Sequence, residues 1–345
     1  MNTTTTLKEQ WEALKVAQPQ VRIRNAAQEL GVSEATLLAT QIGETVVRLQ
    51  PEFAAILSEV ESLGKVMALT RNEACVHERK GTYLNADFSN PFAGLFVGED
   101  IDLRIFLNAW DKAYAVIEPS ENATKKSLQF FGKDGLAIHK IFLTPSSNEA
   151  EFDTLVNKFK AENQEPAETV VEVPTVINEQ PDDTIDFLAF QNDWINLKDT
   201  HEFFGLLKKY GVTRTQALRL APNDYFAKPI EKEGIVTLLE QAAAEKLPIM
   251  VFVGNRGNIQ IHTGIIKKTM WHGSWFNVMD PDFNLHLDMN QVAQTWIVRK
   301  PTQDGVVTAV EVFNAQGEII VQFFGKRKPG IPELEAWRNS VGQLK

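Results

Sequence analysis

Hydrophobic positions recur along this chain with two periods. In "LKDTHEFFGLLKKYG", Leu197 to Gly211, the residues Phe203, Leu206, Leu207 and Tyr210 fall at the i, i+3, i+4, i+7 spacing of a core-facing helix. Asp199 or Thr200 can cap its first turn, Glu202 can reach back in a capping box, and Gly211 supplies a stop. His201 lies roughly opposite the apolar stripe, flanked by Phe204, Gly205 and Lys208. A glycine inside a helix costs about 1 kcal/mol relative to alanine, so Gly205 points to something that approaches the backbone beside the imidazole. The dipole at this helix end disfavours imidazolium and leaves a neutral ring able to bind a metal. The alternative for His201 is a solvated histidine at a helix start.

"FAAILSEVESL" and "GIVTLLEQAAAEKL" repeat the helical period. Elsewhere the period is two. From Ile101 to Asn108 the apolar Ile101, Leu103, Ile105 and Leu107 alternate with Asp102, Arg104, Phe106 and Asn108, which face the other way. Turns such as "KDG", "AQG" and "PTQDG" join strand-like runs into antiparallel hairpins. The predicted fold class is α+β.

The pattern also repeats at long range. At an offset of 182, "IDLRIFLNAWDKAYAVIEPS" lies over "FNLHLDMNQVAQTWIVRKPT", pairing Leu103 with Leu285, Asn108 with Asn290, Val116 with Val298 and Pro119 with Pro301. "FFGKDGLAIHKIF" lies over "VFNAQGEIIVQFF" at the same offset, and "LGVSEATLLAT" over "YGVTRTQALRL" at 180. The chain is an internal duplication, two similar halves each with an antiparallel sheet and flanking helices. Its parts are an N-terminal repeat (1–160), an acidic, proline-containing linker (161–184) and a C-terminal repeat (185–345).

Composition narrows the function classes. The 345 residues are 43% hydrophobic and 23% charged, contain no apolar run long enough for a membrane span, and begin without a secretory signal. The single cysteine, Cys75, fits a reducing cytoplasm. A net charge of −10 disfavours nucleic acid as the main partner. There is no G-x-S-x-G, Walker A, H-E-x-x-H or paired C-x-x-C motif, and "VGNRGNIQIHTG" is better placed as strand, turn and strand than as a phosphate loop. No two of the six histidines stand at i, i+4 on one helix, which disfavours a His-cluster zinc site.

What remains is a site with one protein ligand on a macrocycle, which needs an axial donor, flat apolar walls and cations for carboxylates. His201 is the donor, and Phe204, Phe252, Trp271, Trp275, Phe323 and Phe324 are candidate walls, each with core packing as its alternative. Arg214, Arg219, Arg299, Lys300, Lys326 and Arg327 are candidate cations, with solvated surface charge as theirs.

The stretches "VMALTRNEACVHERKGTY", "DTHEFFGLLKKYG", "ALRLAP", "IMVFVGNRGNIQIHTG" and "VRKPT" followed by "DG" resemble the HemS/ChuS/HmuS family of bacterial haem-binding and haem-degrading proteins over nearly the whole chain. The resemblance implies two stacked antiparallel sheets with flanking helices and one haem (iron protoporphyrin IX), lying between the C-terminal sheet and helices and the N-terminal half. It makes His201 the iron ligand, Arg104 a distal residue with Phe106 beside it, and Arg214, Lys300 and Gln322 the propionate pocket. Phe252 belongs to the walls, and His77 to a secondary haem site. Phe324 departs from the family pattern, which often has tyrosine there. Two functions follow from the resemblance. One is ring opening that releases iron with an external electron donor or reductase. The other is a carrier in the cytoplasm that accepts haem from an importer and passes it to a haem oxygenase.

Overall fold

The computed structural model describes residues 5–119, 124–173, 179–328 and 330–345. The chain divides into two compact units. Unit 1 holds Met1–Arg71, Glu78–Pro174 and Asn255–Gln260; unit 2 holds Asn72–His77, Thr175–Gly254 and Ile261–Lys345. Neither unit is therefore a contiguous half of the sequence, because six residues near each "N-x-x" turn belong to the unit built mainly from the other half.

The elements run α1 (Leu7–Ala17), α2 (Ile23–Glu29), α3 (Glu34–Ala39), β1 (Val46–Leu49), α4 (Phe53–Glu59), β2 (Gly64–Arg71), β3 (Cys75–Gly81), β4 (Gly94–Val97), β5 (Asp102–Ile105), β6 (Trp110–Glu118), β7 (Lys125–Gly132), β8 (Ala137–Ser147) and α5 (Glu149–Phe159). They continue with α6 (Phe187–Ile195), α7 (Glu202–Tyr210), α8 (Arg214–Arg219), β9 (Ala227–Ile230), α9 (Glu233–Ala244), β10 (Ile249–Gly254), β11 (Asn258–Gly264), β12 (Thr269–His272), β13 (Trp275–Met279), β14 (Phe283–Asp288), β15 (Gln294–Thr302), β16 (Gly305–Phe313), β17 (Ile319–Gly325) and α10 (Glu335–Gly342). The strands form two antiparallel sheets of nine and eight strands, and the fold is α+β.

The duplication appears in strand order. Unit 1 runs β1-β6-β7-β8-β2 and unit 2 runs β9-β15-β16-β17-β10, the same path at the offset read from the sequence. The register agrees, since Phe130 faces His139 in one and Val312 faces Val321 in the other. Helix ends repeat as well. Ser33 and Thr213 each cap a helix with a side-chain oxygen, and Gly31 and Gly211 each take the positive φ that ends the preceding helix.

Each unit packs helices against both faces of its sheet. In unit 1, Ile56, Leu57, Phe152 and Phe159 of α4 and α5 pack with Leu128, Phe130 and Ile141, while Ala35, Leu38 and Ala39 of α3 pack with Tyr114, Val116 and Phe131. In unit 2, α9 and α10 cover Val251, Val310, Val312, Val321 and Phe323, while α6 to α8 cover Val298 and Phe313 through Phe190, Trp194, Phe203 and Leu206. No helix among the described residues is long and apolar enough to cross a membrane.

Hydrogen bonding explains how the two six-residue segments are held. Asn255 donates to the carbonyls of Arg71 (3.0 Å) and Ile138 (2.8 Å) and accepts from the N–H groups of Gly257 and Asn258. Asn72 repeats this in unit 2 with Gly254 (3.1 Å), Ile320 (2.8 Å), Ala74 and Cys75. Beyond the Asn255 turn, Asn258 donates to Thr70 (2.8 Å), and the Thr70 hydroxyl donates to Gln260 (2.8 Å), which donates to the Ala68 carbonyl. His139 completes this buried cluster, 2.9 Å from Thr70 and 2.5 Å from the Tyr83 hydroxyl.

One expectation is corrected. The alternating run from Ile101 is a strand only over Asp102–Ile105. Phe106 then gives its N–H to the Gly257 carbonyl and Ala109 closes a 3-10 turn onto Phe106, which carries Asn108 into solvent. The acidic linker is extended but tied down. Arg48 and Tyr114 bind Glu168, Gln164 bonds both backbone groups of Arg48, and on the far side Glu179 pairs with Arg219 and Thr213. Its residues 174–178 lie outside those described.

The buried cluster makes stability depend on pH. Burial pushes the His139 imidazole down to about 3, against about 6.5 for the unfolded residue. The folded state holds the ring neutral while the unfolded chain takes up a proton, so this contribution is complete above about pH 6.5 and is lost as pH falls towards about 3, at about 1.4 kcal/mol per pH unit. Denaturant unfolding at stepped pH should show that slope as the difference between wild type and His139→Gln. Parallel pH profiles would exclude it.

Candidate functional site

His201 stands at the head of α7. The helix proper starts at Glu202, later than a cap at Asp199 or Thr200 predicts, with Glu202 folding back onto the N–H groups of Lys198 (2.7 Å) and Asp199 (3.3 Å). Phe203 and Leu206 are buried below, as the periodicity requires, and Phe204 is 73% exposed. The His201 side chain is 93% exposed. Its Nδ1 lies 2.5 Å from Asp199 Oδ1, which also accepts the His201 backbone N–H at 2.7 Å. These bonds, the backbone one first, hold the Asp199 carboxyl below its ordinary range. With Nδ1 engaged by a carboxylate, the ring is oriented and Nε2 is left to face outward, the second-shell arrangement that metal-binding histidines use. A Cβ added at Gly205 would meet nothing within 4 Å, so the space over this part of the helix is open.

Below α7 lies a cluster of charges. Glu311 on β16 has no exposed side-chain surface. Its carboxylate accepts from Arg214 Nε (2.7 Å) and Nη2 (2.6 Å), Lys300 Nζ (3.0 Å) and Gln322 Nε2 (3.0 Å). Lys300 Nζ and Arg214 Cζ also sit 4.4 Å and 5.2 Å from the ring centre of Phe203, which connects the cluster to α7. Burial alone would raise the Glu311 carboxyl, but Arg214 and Lys300 outweigh it and hold the group at about 2. Burial, and after it Arg214, brings the Lys300 ammonium down to about 8. At neutral pH the cluster carries two cations against one anion.

Strand parity sorts the aromatic walls. Met250, Phe252, Gln322 and Phe324 are half-buried on one face of β10 and β17, with Phe252 and Phe324 at 4.9 Å between ring centres. Phe323 points the other way and is fully buried among α9 and α10 residues, so it is core and no wall. Of the six candidate cations, Arg214 and Lys300 converge. Arg219 pairs with Glu179, Arg299 bonds the Tyr225 carbonyl, and Arg327 lies 3.9 Å from Asp304.

In unit 1, Arg104 is one-third exposed on β5 and pairs with Asp102 two residues back, while Phe106 is half-buried beyond the strand end. His77 is fully buried in unit 2, its ring 5.0 Å from Phe283, against which His262 stacks at 3.7 Å. A second haem at His77 would thus require the core to open. His286, at the offset position of Arg104, is a hydrogen-bonded strand residue, with Nδ1 2.6 Å from Asn277. Glu311 was missed by sequence reasoning. The available signal was a lone acid in the otherwise apolar strand "GVVTAVEVF", since a buried carboxylate demands cationic partners.

Known proteins share this fold. The domain described as haemin-degrading HemS.ChuX matches residues 31–159 and again 211–344. The hemin transport protein HmuS of Yersinia pestis is 37% identical over 98% of this chain and 97% of its own. The crystal structure of holo-PhuS, a heme-binding protein from Pseudomonas aeruginosa, superimposes with a TM-score of 0.96 at 45% identity, covering 98% of each chain. That of ChuS, an Escherichia coli heme oxygenase, gives 0.88 at 32% identity over 98% of this chain and 99% of its own. Matched twice along its length and over nearly its full extent, the chain belongs to the HemS/ChuX family.

Proposed function

We propose that this protein binds haem on the α7 side of unit 2, with His201 Nε2 as the iron ligand, and opens the porphyrin ring to release iron. The observation that carries the binding is the exposed imidazole whose Nδ1 is already held by Asp199. The surroundings fit the group. Open space over Gly205 leaves room for a flat ring, and Phe252 and Phe324 offer half-buried aromatic surface. Arg214 and Lys300 carry charge suited to propionates. Bound haem supplies the iron and the oxidisable macrocycle, and an external electron donor or reductase is required. Ring opening draws support from the heme oxygenase ChuS. Arg104 enters as the distal residue from the family resemblance. A carrier that takes haem from an importer and hands it to a haem oxygenase is the second reading, favoured by PhuS being described as heme-binding and HmuS as a transport protein. Either role is exercised in the cytoplasm, where the one cysteine, buried Cys75, stays reduced.

His201→Ala should leave the fold intact, because the side chain is almost wholly exposed, yet weaken haem binding by about tenfold or more and move the Soret band. Circular dichroism and a haem titration check both halves of that statement. An unshifted spectrum with unchanged affinity would remove His201 from the iron.

Arg104→Ala should bind haem within about tenfold of wild type, or about 1.4 kcal/mol, and lose most reductant-driven degradation, because a positioned donor acts on charge that develops during the reaction. The measurement is Soret loss and iron release under oxygen. Degradation at the wild-type rate, or none in wild type beyond that of free haem, would favour the carrier.

A further inference from the structure

Glu311 has no part in the reading above, yet it makes four hydrogen bonds to the three residues assigned to carboxylate binding. An arginine presents two bidentate edges to carboxylates, one formed by Nε and Nη2 and one by Nη1 and Nη2. Glu311 occupies the first, at 2.7 and 2.6 Å. Among the described residues Arg214 Nη1 makes no hydrogen bond, and of the charged members of the cluster Arg214 keeps the most exposed side-chain surface, 19% against 6% for Lys300 and none for Glu311. Glu311 takes one Lys300 proton and leaves two. We propose that Glu311 is the positioning and specificity-setting residue of this site: by filling the inner edge of Arg214 and bracing Lys300, it aims the outer Arg214 edge and the remaining ammonium protons at a free carboxylate of the ligand. The site thereby selects porphyrins that carry free carboxylates over esterified ones. This rests on the haem reading.

The pH dependence follows from the neighbours of Lys300. Arg214 of α8 and Glu311 of β16 are the charged groups that face it, with neutral Gln322 of β17 at the same carboxylate and the Phe203 ring of α7 against the ammonium. Burial, and after it Arg214, lowers the Lys300 pKa while Glu311 raises it, with the outcome at about 8. Removing the carboxylate therefore lets Lys300 lose its proton at lower pH.

The test titrates the full chain with haem and with haem dimethyl ester, which has no free carboxylate, across pH 6 to about 9.5. Wild type should prefer haem by about tenfold or more, and that preference should decline around pH 8 as Lys300 is neutralised. In Glu311→Gln the decline should move at least about one pH unit lower. Glu311→Asp retains the charge and should keep the wild-type midpoint with a smaller preference, so it covers the case in which Glu311→Gln does not fold. Arg214→Lys, lacking a second edge, should lose most of the preference at every pH. Equal affinity of wild type for haem and its diester, or a midpoint unmoved in Glu311→Gln, overturns the proposal. His201→Ala titrated in parallel separates the levels: its Soret response reports on the haem reading even where the ester preference fails.

Discussion

A carboxylate buried without solvent must be matched by protein donors, and in unit 2 the Glu311 carboxylate sets the positions of everything around it. Its partners come from α8, β15 and β17, so one side chain ties a helix to the sheet and brings two cations against the same aromatic ring. That ring belongs to α7, two residues from His201. Burying such a set is close to neutral for stability overall, but removing one member leaves unmatched charge and costs about 3–5 kcal/mol. The cluster is therefore better understood as a device for placement than as a source of stability.

The duplicated framework shows how much of that device is specific to one unit. At the offsets of 182 and 180, Gln129 occupies the place of Glu311, Lys140 that of Gln322, Glu118 that of Lys300 and Glu34 that of Arg214. Unit 1 thus pairs Lys140 with Glu34 in a buried ion pair of zero net charge, where unit 2 keeps one cation in excess. Val21 stands where His201 would be. The scaffold was copied while the nitrogen donor and the surplus charge were not, and this favours a single principal ligand for each chain.

The duplication, the fold class and the α7 stripe were legible because they depend on spacing, which a sequence displays directly. The registers of β6, β7 and β8 and of β15, β16 and β17 follow the offset of 182. The candidate site was only partly legible. Phe323 and Phe324 are adjacent and chemically identical, yet strand parity puts one in the core and the other on the open face, and parity is fixed only once the strand pairing is known. Six cations looked equivalent because the carboxylates that Arg214, Lys300, Arg219 and Arg327 meet are not their neighbours in sequence. The crossing of residues 72–77 and 255–260 between units had no local signature, since an asparagine in a turn says nothing about whose carbonyls it will meet.

That crossing has a consequence for synthesis. Unit 1 contains Asn255–Gln260, and its buried polar cluster is incomplete until Asn258 and Gln260 reach Thr70 and His139. On the ribosome, where domains ordinarily fold in order from the N-terminus, the first unit cannot close when its last local element, α5, emerges. It must wait, with an unfilled polar interior, while a further hundred or so residues are translated, and the first unit closes only once Gln260 has emerged.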